Sequence, residues 1–166
     1  MARTSTRART GGKRPRAPSA RHVHLNPPEI KASPTYSHAV MVQPEASFLA
    51  ISGQVGRDAH GAVPAGIEAQ TELAWRNVRT VLETAGMGMQ DVVSYVSYLV
   101  RREDASTYSQ VRLRALGDAR PASTLIFVAG LGASTPELLC EVQVLAAKVT
   151  PNGARRSRMK RSTGAR

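Results

Sequence analysis

The sequence predicts an α+β domain in which two helices cover one face of a mixed sheet, and three observations lead there. Two stretches carry a helical period, while several short runs are rich in Val, Ile and Tyr. Glycine or proline punctuates most of the junctions between them. The resulting order reads β-β-α-β-α-β-β. With 166 residues, one domain with appendages fits better than two domains. Hydrophobic content of 42% is enough for a core, and with only 4% aromatic residues aliphatic side chains must fill it.

The ordered part opens at Asn26-Pro27-Pro28, an extended lead-in because proline restricts the residue before it. Ser37–Val42 and Phe48–Ser52 read as two strands joined by a turn around Pro44-Glu45. Asp58-Ala59-His60-Gly61 has turn chemistry. After Pro64, the residues Ile67, Thr71, Ala74, Val78, Val81, Leu82 and Ala85 recur at helical spacing, with Gly86 placed as a left-handed stop. Val92–Val100 is a Val- and Tyr-rich strand. Glu103-Asp104 is positioned to cap a helix over Ala105–Leu116, which Gly117 ends. Pro121 forces an extended start to the strand Thr124–Ala129, and Leu138–Ala147 is the last strand. A single sheet with two helices leaves its second face bare, and the apolar residues on that face predict burial by another subunit.

Charge divides the chain into three. The net charge is +11, yet residues 1–22 hold seven basic residues and no acid, and residues 151–166 hold six and no acid. Residues 23–150 hold ten basic and twelve acidic residues, a net of −2. The folded domain is therefore expected over 23–150. Both basic tails are expected to be disordered, because Arg mixed with Ser, Thr, Gly and Pro buries too little surface. Weak, salt-sensitive binding of polyanions is the functional reading of the tails, and a solvated tail with no task is the plainer one. No apolar run approaches the ~20 residues that span a bilayer, so no membrane partner is expected. Cys140 is the only cysteine, which excludes an internal disulfide and fits a reducing, cytoplasmic setting. The four histidines show no metal-ligand spacing, so no metal is expected.

Three segments place polar residues where the local pattern calls for apolar ones. Ser52-Gly53-Gln54 ends a strand with a glycine that would let a ligand or another backbone approach closely, or is a plain strand exit. In the last strand Leu139, Glu141, Gln143 and Leu145 share one face, and Cys140, Val142 and Val144 the other. Were Glu141 dry, its charged form would be disfavoured and its carboxyl fitted to proton transfer; on a half-wet face it would only hydrogen-bond. At Pro121-Ala122-Ser123-Thr124, Ser123 shares a face with Leu125 and Phe127, and no His or Asp stands where it could make the serine a nucleophile.

Taken together these segments resemble the RidA (YjgF) family over about Asn26 to Lys148. The matching stretches are Tyr36-Ser37 after Ser33-Pro34, Ile51-Ser52-Gly53-Gln54, Gly61 with Val63-Pro64, Gln70, Asn77-Val78, Ala85-Gly86, Asp91-Val92, Arg120-Pro121-Ala122 and Glu141-Val142-Gln143-Val144. The resemblance implies a chorismate-mutase-like fold, a homotrimer, and a small-molecule cleft at each subunit interface. It also implies cofactor-free hydrolysis of reactive enamines and imines to keto acids and ammonia. Glu141 would be the catalytic carboxylate, with Tyr36, Ser52, Gly53, Ser109, Ser123 and Leu125 lining the substrate site. Thr35 departs from the family's Pro-Tyr-Ser.

The larger departure is Ser123, where the family carries the arginine that grips a substrate carboxylate. Losing such a buried, charge-assisted contact costs roughly 2–5 kcal/mol, or about 30- to several-thousand-fold in binding or rate. Arg120 lies three residues earlier, so strand alternation sends it to the opposite face. The expected function is a divergent RidA-like deaminase acting on an intermediate other than small 2-imino acids. The alternative is a non-catalytic trimeric small-molecule-binding or stress-protective module.

Overall fold

Apolar residues at helical spacing need a surface to cover, and the longest such stripe finds the centre of the sheet. The structure, a computed structural model, describes residues 22–132 and 137–149. Apart from His22, both basic tails lie outside the described residues. The helix α1 runs Ile67–Thr84, with Thr71, Ala74, Val78 and Leu82 buried as the period predicts. Gln70 and Trp75 join them, whereas Ala85 is exposed. Ala85 escapes because the chain leaves the helix there. Gly86 has φ 70°, its N–H donates to Glu83 O at 2.9 Å, and Met87 N–H donates to Leu82 O at 2.8 Å. That pair of bonds satisfies carbonyls the helix end would otherwise orphan, and a residue with a Cβ resists that φ.

Among the described residues six strands accompany the helices: β1 (Val23–Leu25), β2 (Ala39–Met41), β3 (Ala46–Val55), β4 (Val92–Leu99), β5 (Ala122–Phe127) and β6 (Cys140–Val149). The second helix, α2, is Ala105–Leu116. The main sheet has the order β3-β6-β4-β5, with β4 and β5 parallel and the other pairs antiparallel. A parallel pair needs a crossover, which α2 supplies. Both helices lie on one face, as the sequence predicts.

Two local expectations are corrected. The turn at Pro44-Glu45 exists, with Glu45 at φ 67°, but it does not close a hairpin. Instead β2 pairs with β1, with His24 opposite Val40, and β3 pairs with β6. Asn26 Oδ1 accepts the His38 N–H at 3.0 Å and so helps hold the small β1–β2 sheet together. Asp104 stands at the start of α2 without a capping bond, because its carboxylate pairs with Arg101 at 3.1 Å.

Alternation along β6 defines the two faces of the sheet. Cys140, Val142, Val144 and Ala146 are buried beneath the helices, where Trp75 meets Tyr95 edge-on at 5.3 Å between ring centres. Glu141, Gln143 and Leu145 point the other way. That second face leaves Phe48 61% exposed, and Ile126 and Leu145 more than a third exposed. Side-chain amides tie α1 to its neighbours. Gln70 donates to the carbonyls of Pro64 and Glu137 at 3.1 and 2.9 Å and accepts the Leu139 N–H at 2.8 Å. Asn77 donates to the carbonyls of Val55 and Arg57 at 3.1 and 3.0 Å. Among the described residues no helix is long and apolar enough to cross a membrane.

Candidate active site

A break in strand register builds the first part of the site. β3 and β6 pair regularly up to Ile51, then slip between Ile51 and Gln54, so Ser52 and Gly53 form a bulge. The side chain of Glu141 fills the space this creates. A Cβ built on Gly53 would stand 1.6 Å from Glu141 Oε1, so only glycine lets the carboxylate lie there. Ser52, Gly53 and Glu141 line a depression of about 350 Å³ together with Tyr98, Leu131 and Gln143. The depression is polar and open. Glu141 is half-buried, so the dry setting is not met within one chain.

The remaining predicted residues lie elsewhere. β5 pairs with β4 so that Ser123 stands opposite Tyr95, Leu125 opposite Ser97 and Phe127 opposite Leu99. Paired residues share a face, and Tyr95, Ser97 and Leu99 are buried on the helix side. Glu141 is paired with Tyr98, on the other side. Ser123 and Leu125 therefore face away from Glu141, with the sheet between them. Tyr36 belongs with the β5 group: Ser37 donates its N–H to Pro121 O at 3.3 Å and its hydroxyl to Arg120 O at 2.6 Å. Ser109 sits half-buried on α2, the crossover between β4 and β5. The structure thus brings Ser52, Gly53 and Glu141 together, leaves Ser109, Ser123 and Leu125 on the opposite side at the sheet edge, and holds Tyr36 near the start of β5.

Arg120 does not take the place of a guanidinium at position 123. Its Nε donates to Pro34 O at 2.9 Å, and its Nη1 to Gly117 O at 2.6 Å and Ala119 O at 2.9 Å. It is a clamp on loops. A different arginine was not singled out from the sequence. Arg112 on α2 donates from Nη1 to the Tyr95 hydroxyl at 2.7 Å, and its guanidinium lies 6.0 Å from the centre of that ring. Tyr98 and Leu131 were also missed, since an apolar pattern gives no sign of which residues flank a bulge.

Among the described residues, two groups behind the sheet have their pKa raised. Burial pushes the Cys140 thiol up to about 11, against a weak contact with Thr71 that works the other way. Burial also drives the Tyr108 phenol well above its ordinary range, opposed by its 2.5 Å bond to Ser97. Both are therefore neutral at physiological pH and neither touches the depression. Among the described residues no group of three or more His, Cys, Asp or Glu could hold a metal ion.

The family described as Endoribonuclease L-PSP matches residues 27–148. The Rid-family protein YyfB of Yersinia pestis superposes with a TM-score of 0.67 at 31% identity, covering 76% of this chain and 98% of that one. The chain belongs to the RidA (YjgF) family. Other members show the same extent of likeness. A RutC family protein of Pyrococcus horikoshii is 30% identical over 115 residues, 68% of this chain and 86% of the relative. The protein mmf2 of Schizosaccharomyces pombe, described as mitochondrial, is 25% identical over 126 residues, 76% of this chain and 98% of the relative. The two helices on a mixed sheet are those of this RidA-family fold.

Proposed function

We propose that this RidA-family protein is a divergent enamine or imine deaminase whose substrate is not a small 2-imino acid. One observation supports the reading most: Glu141 lies over the Gly53 bulge in an open polar depression, while position 123 is serine. The chemistry is hydrolysis and requires no redox partner. Water adds to the carbon of the C=N bond as the Glu141 carboxylate takes its proton. That proton passes to nitrogen to give the carbinolamine; its hydroxyl proton then moves to the amine by way of Glu141 as the C–N bond breaks, leaving a carbonyl and ammonia.

The separation of the two residue groups favours a site shared between copies. The bare face carrying Phe48, Ile126 and Leu145 is then covered in a homotrimer, and the Glu141 depression of one copy meets the Tyr36, Ser109, Ser123 and Leu125 edge of the next. The net of −2 over residues 23–150 gives the domain no field for a polyanion, which leaves such binding to the tails. A cytoplasmic setting accords with a free, buried Cys140. Ser123 also supports the second reading, a trimer that binds a small molecule without turning it over.

The test is turnover of enzymatically generated 2-iminopropionate by the wild type and by Ser123→Arg. Slow hydrolysis by the wild type and a gain in the variant is the expected result. Fast turnover by the wild type, unchanged in the variant, would refute the shift of substrate. A substrate whose hydrolysis needs Glu141 would end the binding-only reading.

A further inference from the structure

The cation absent from β5 has a counterpart on α2. We propose that Arg112 is the anion-binding residue of this site. Its substrate would then be an acidic enamine or imine whose carboxylate or phosphate stands several atoms away from the C=N carbon. The inference rests on the deaminase reading for the reacting group, and on Arg112's own surroundings for the anion.

Those surroundings set Arg112 apart from other arginines. Arg101 pairs with Asp104, Arg114 with Glu68 and Glu72, and Arg120 is filled by three carbonyls. Arg112 is half-buried, yet among the described residues no carboxylate lies within ion-pair distance of it. Its Nη1 is engaged by the neutral Tyr95 hydroxyl, while its Nε is buried without a hydrogen-bond partner. A partly desolvated cation with idle donors is an unfavourable arrangement in the free chain. An anion offsets the unpaired charge from the Nη2 end of the guanidinium, since Nη1 is held by Tyr95 and Nε is buried out of its reach.

Position links this guanidinium to the β5 edge. Tyr95, which Arg112 holds, is the cross-strand neighbour of Ser123. Ser109 lies one turn before Arg112 and shares its side of α2. Serine at both positions keeps the neighbourhood small and hydrogen-bonding. A guanidinium issuing from the helix approaches an anion from a different direction than one issuing from position 123. An acid group attached directly to the C=N carbon is poorly served by it, whereas one on a longer chain can reach. That agrees with the proposed exclusion of small 2-imino acids.

The experiment uses stable keto acids, which mimic hydrolysis products, in calorimetric titrations of the full-length protein. The probes are pyruvate, 2-oxoglutarate and the neutral dimethyl ester of 2-oxoglutarate. The proteins are wild type, Arg112→Gln, Arg112→Lys and Glu141→Gln, each with its melting temperature measured. Wild type is expected to bind 2-oxoglutarate at least about tenfold tighter than pyruvate or the ester. Arg112→Gln is expected to lose that advantage without weakening the ester, with Arg112→Lys in between. Competition by inorganic phosphate against acetate then says whether the anion site prefers a phosphate or a carboxylate. Absence of saturable 2-oxoglutarate binding up to about 10 mM would overturn the proposal. So would unchanged binding by folded Arg112→Gln or Arg112→Lys, or equal loss for diacid and ester. Glu141→Gln separates the two readings. If Arg112-dependent binding persists but no imine hydrolysis ever depends on Glu141, the deaminase reading alone fails. If Glu141-dependent hydrolysis is insensitive to Arg112, only the anion assignment fails.

Discussion

Beneath the helices, Cys140, Val142, Val144 and Ala146 of β6 are sealed, while their neighbours Glu141, Gln143 and Leu145 on the same strand face the bare side of the sheet. The same ten-residue strand therefore belongs to two regions. The covered face is apolar and held by amides such as Gln70 that satisfy buried backbone groups, so it governs stability. The bare face combines exposed apolar residues with a carboxylate over a bulge, and on the proposed function it governs assembly and chemistry. Substitutions chosen in pairs across the sheet show whether this division of labour is real.

The largest effect is expected on the bare face. With Glu141 as the proposed general base, Glu141→Gln should lower turnover of the true substrate by roughly 10²–10⁴-fold. Its melting temperature should stay close to that of the wild type, because the side chain is half-exposed. Steady-state kinetics beside a thermal melt would check both halves of the claim.

Glycine substitutions sharpen the contrast. A Cβ on Gly56 would stand 2.5 Å from Gln70 Cα, and backbone cannot step aside. Gly56→Ala should therefore destabilise the protein by about 1–3 kcal/mol in urea unfolding. At Gly53 the obstacle is the end of the Glu141 side chain, which can swing away. Gly53→Ala should fold nearly as well as the wild type and lose activity, because the carboxylate is displaced. If both variants lost stability alike, the division would be wrong.

The proposed assembly depends on the bare face. Phe48→Asp introduces a charge at the most exposed of these apolar side chains and should convert a trimer to monomers in light scattering. The smallest effect is expected behind the sheet, at high pH. Cys140 titrates at about 11 rather than its ordinary 9, so the native state holds its proton more tightly than the unfolded chain does. Stability should be unaffected by this group below about 9 and should fall as pH rises toward 11. The Tyr108 phenol, also raised, acts in the same direction. A denaturation series against pH, with Cys140→Ser as the comparison, measures the slope.

Much of the covered face was legible in the sequence, because periodicity records what is buried. The stripe Thr71, Ala74, Val78 and Leu82, the stop at Gly86 and the alternation of β6 all follow from spacing. Ala85 and the partner of β2 did not follow. The first depends on where a left-handed turn lifts the chain, and the second on a short strand choosing between two edges. On the bare face, the Ser52-Gly53 and Glu141 association was foreshadowed by polar residues in strand positions. The contact of Arg112 with Tyr95 was not, since either of the two arginines on α2 looks from the sequence like a solvated residue. On the Arg112 proposal, the guanidinium that β5 lacks is supplied by α2.

The most direct test of a shared site mixes chains that each lack one group. Ser123→Arg supplies a guanidinium on β5, and the double variant Ser123→Arg/Glu141→Gln has that guanidinium but no carboxylate. In the proposed trimer, co-refolding the double variant with wild type lets the guanidinium introduced at position 123 of one copy meet Glu141 of another. Hydrolysis of 2-iminopropionate well above the sum of the separately refolded proteins is predicted. A rate no greater than that sum, in mixtures proven by mass spectrometry to contain both chains, would contradict it.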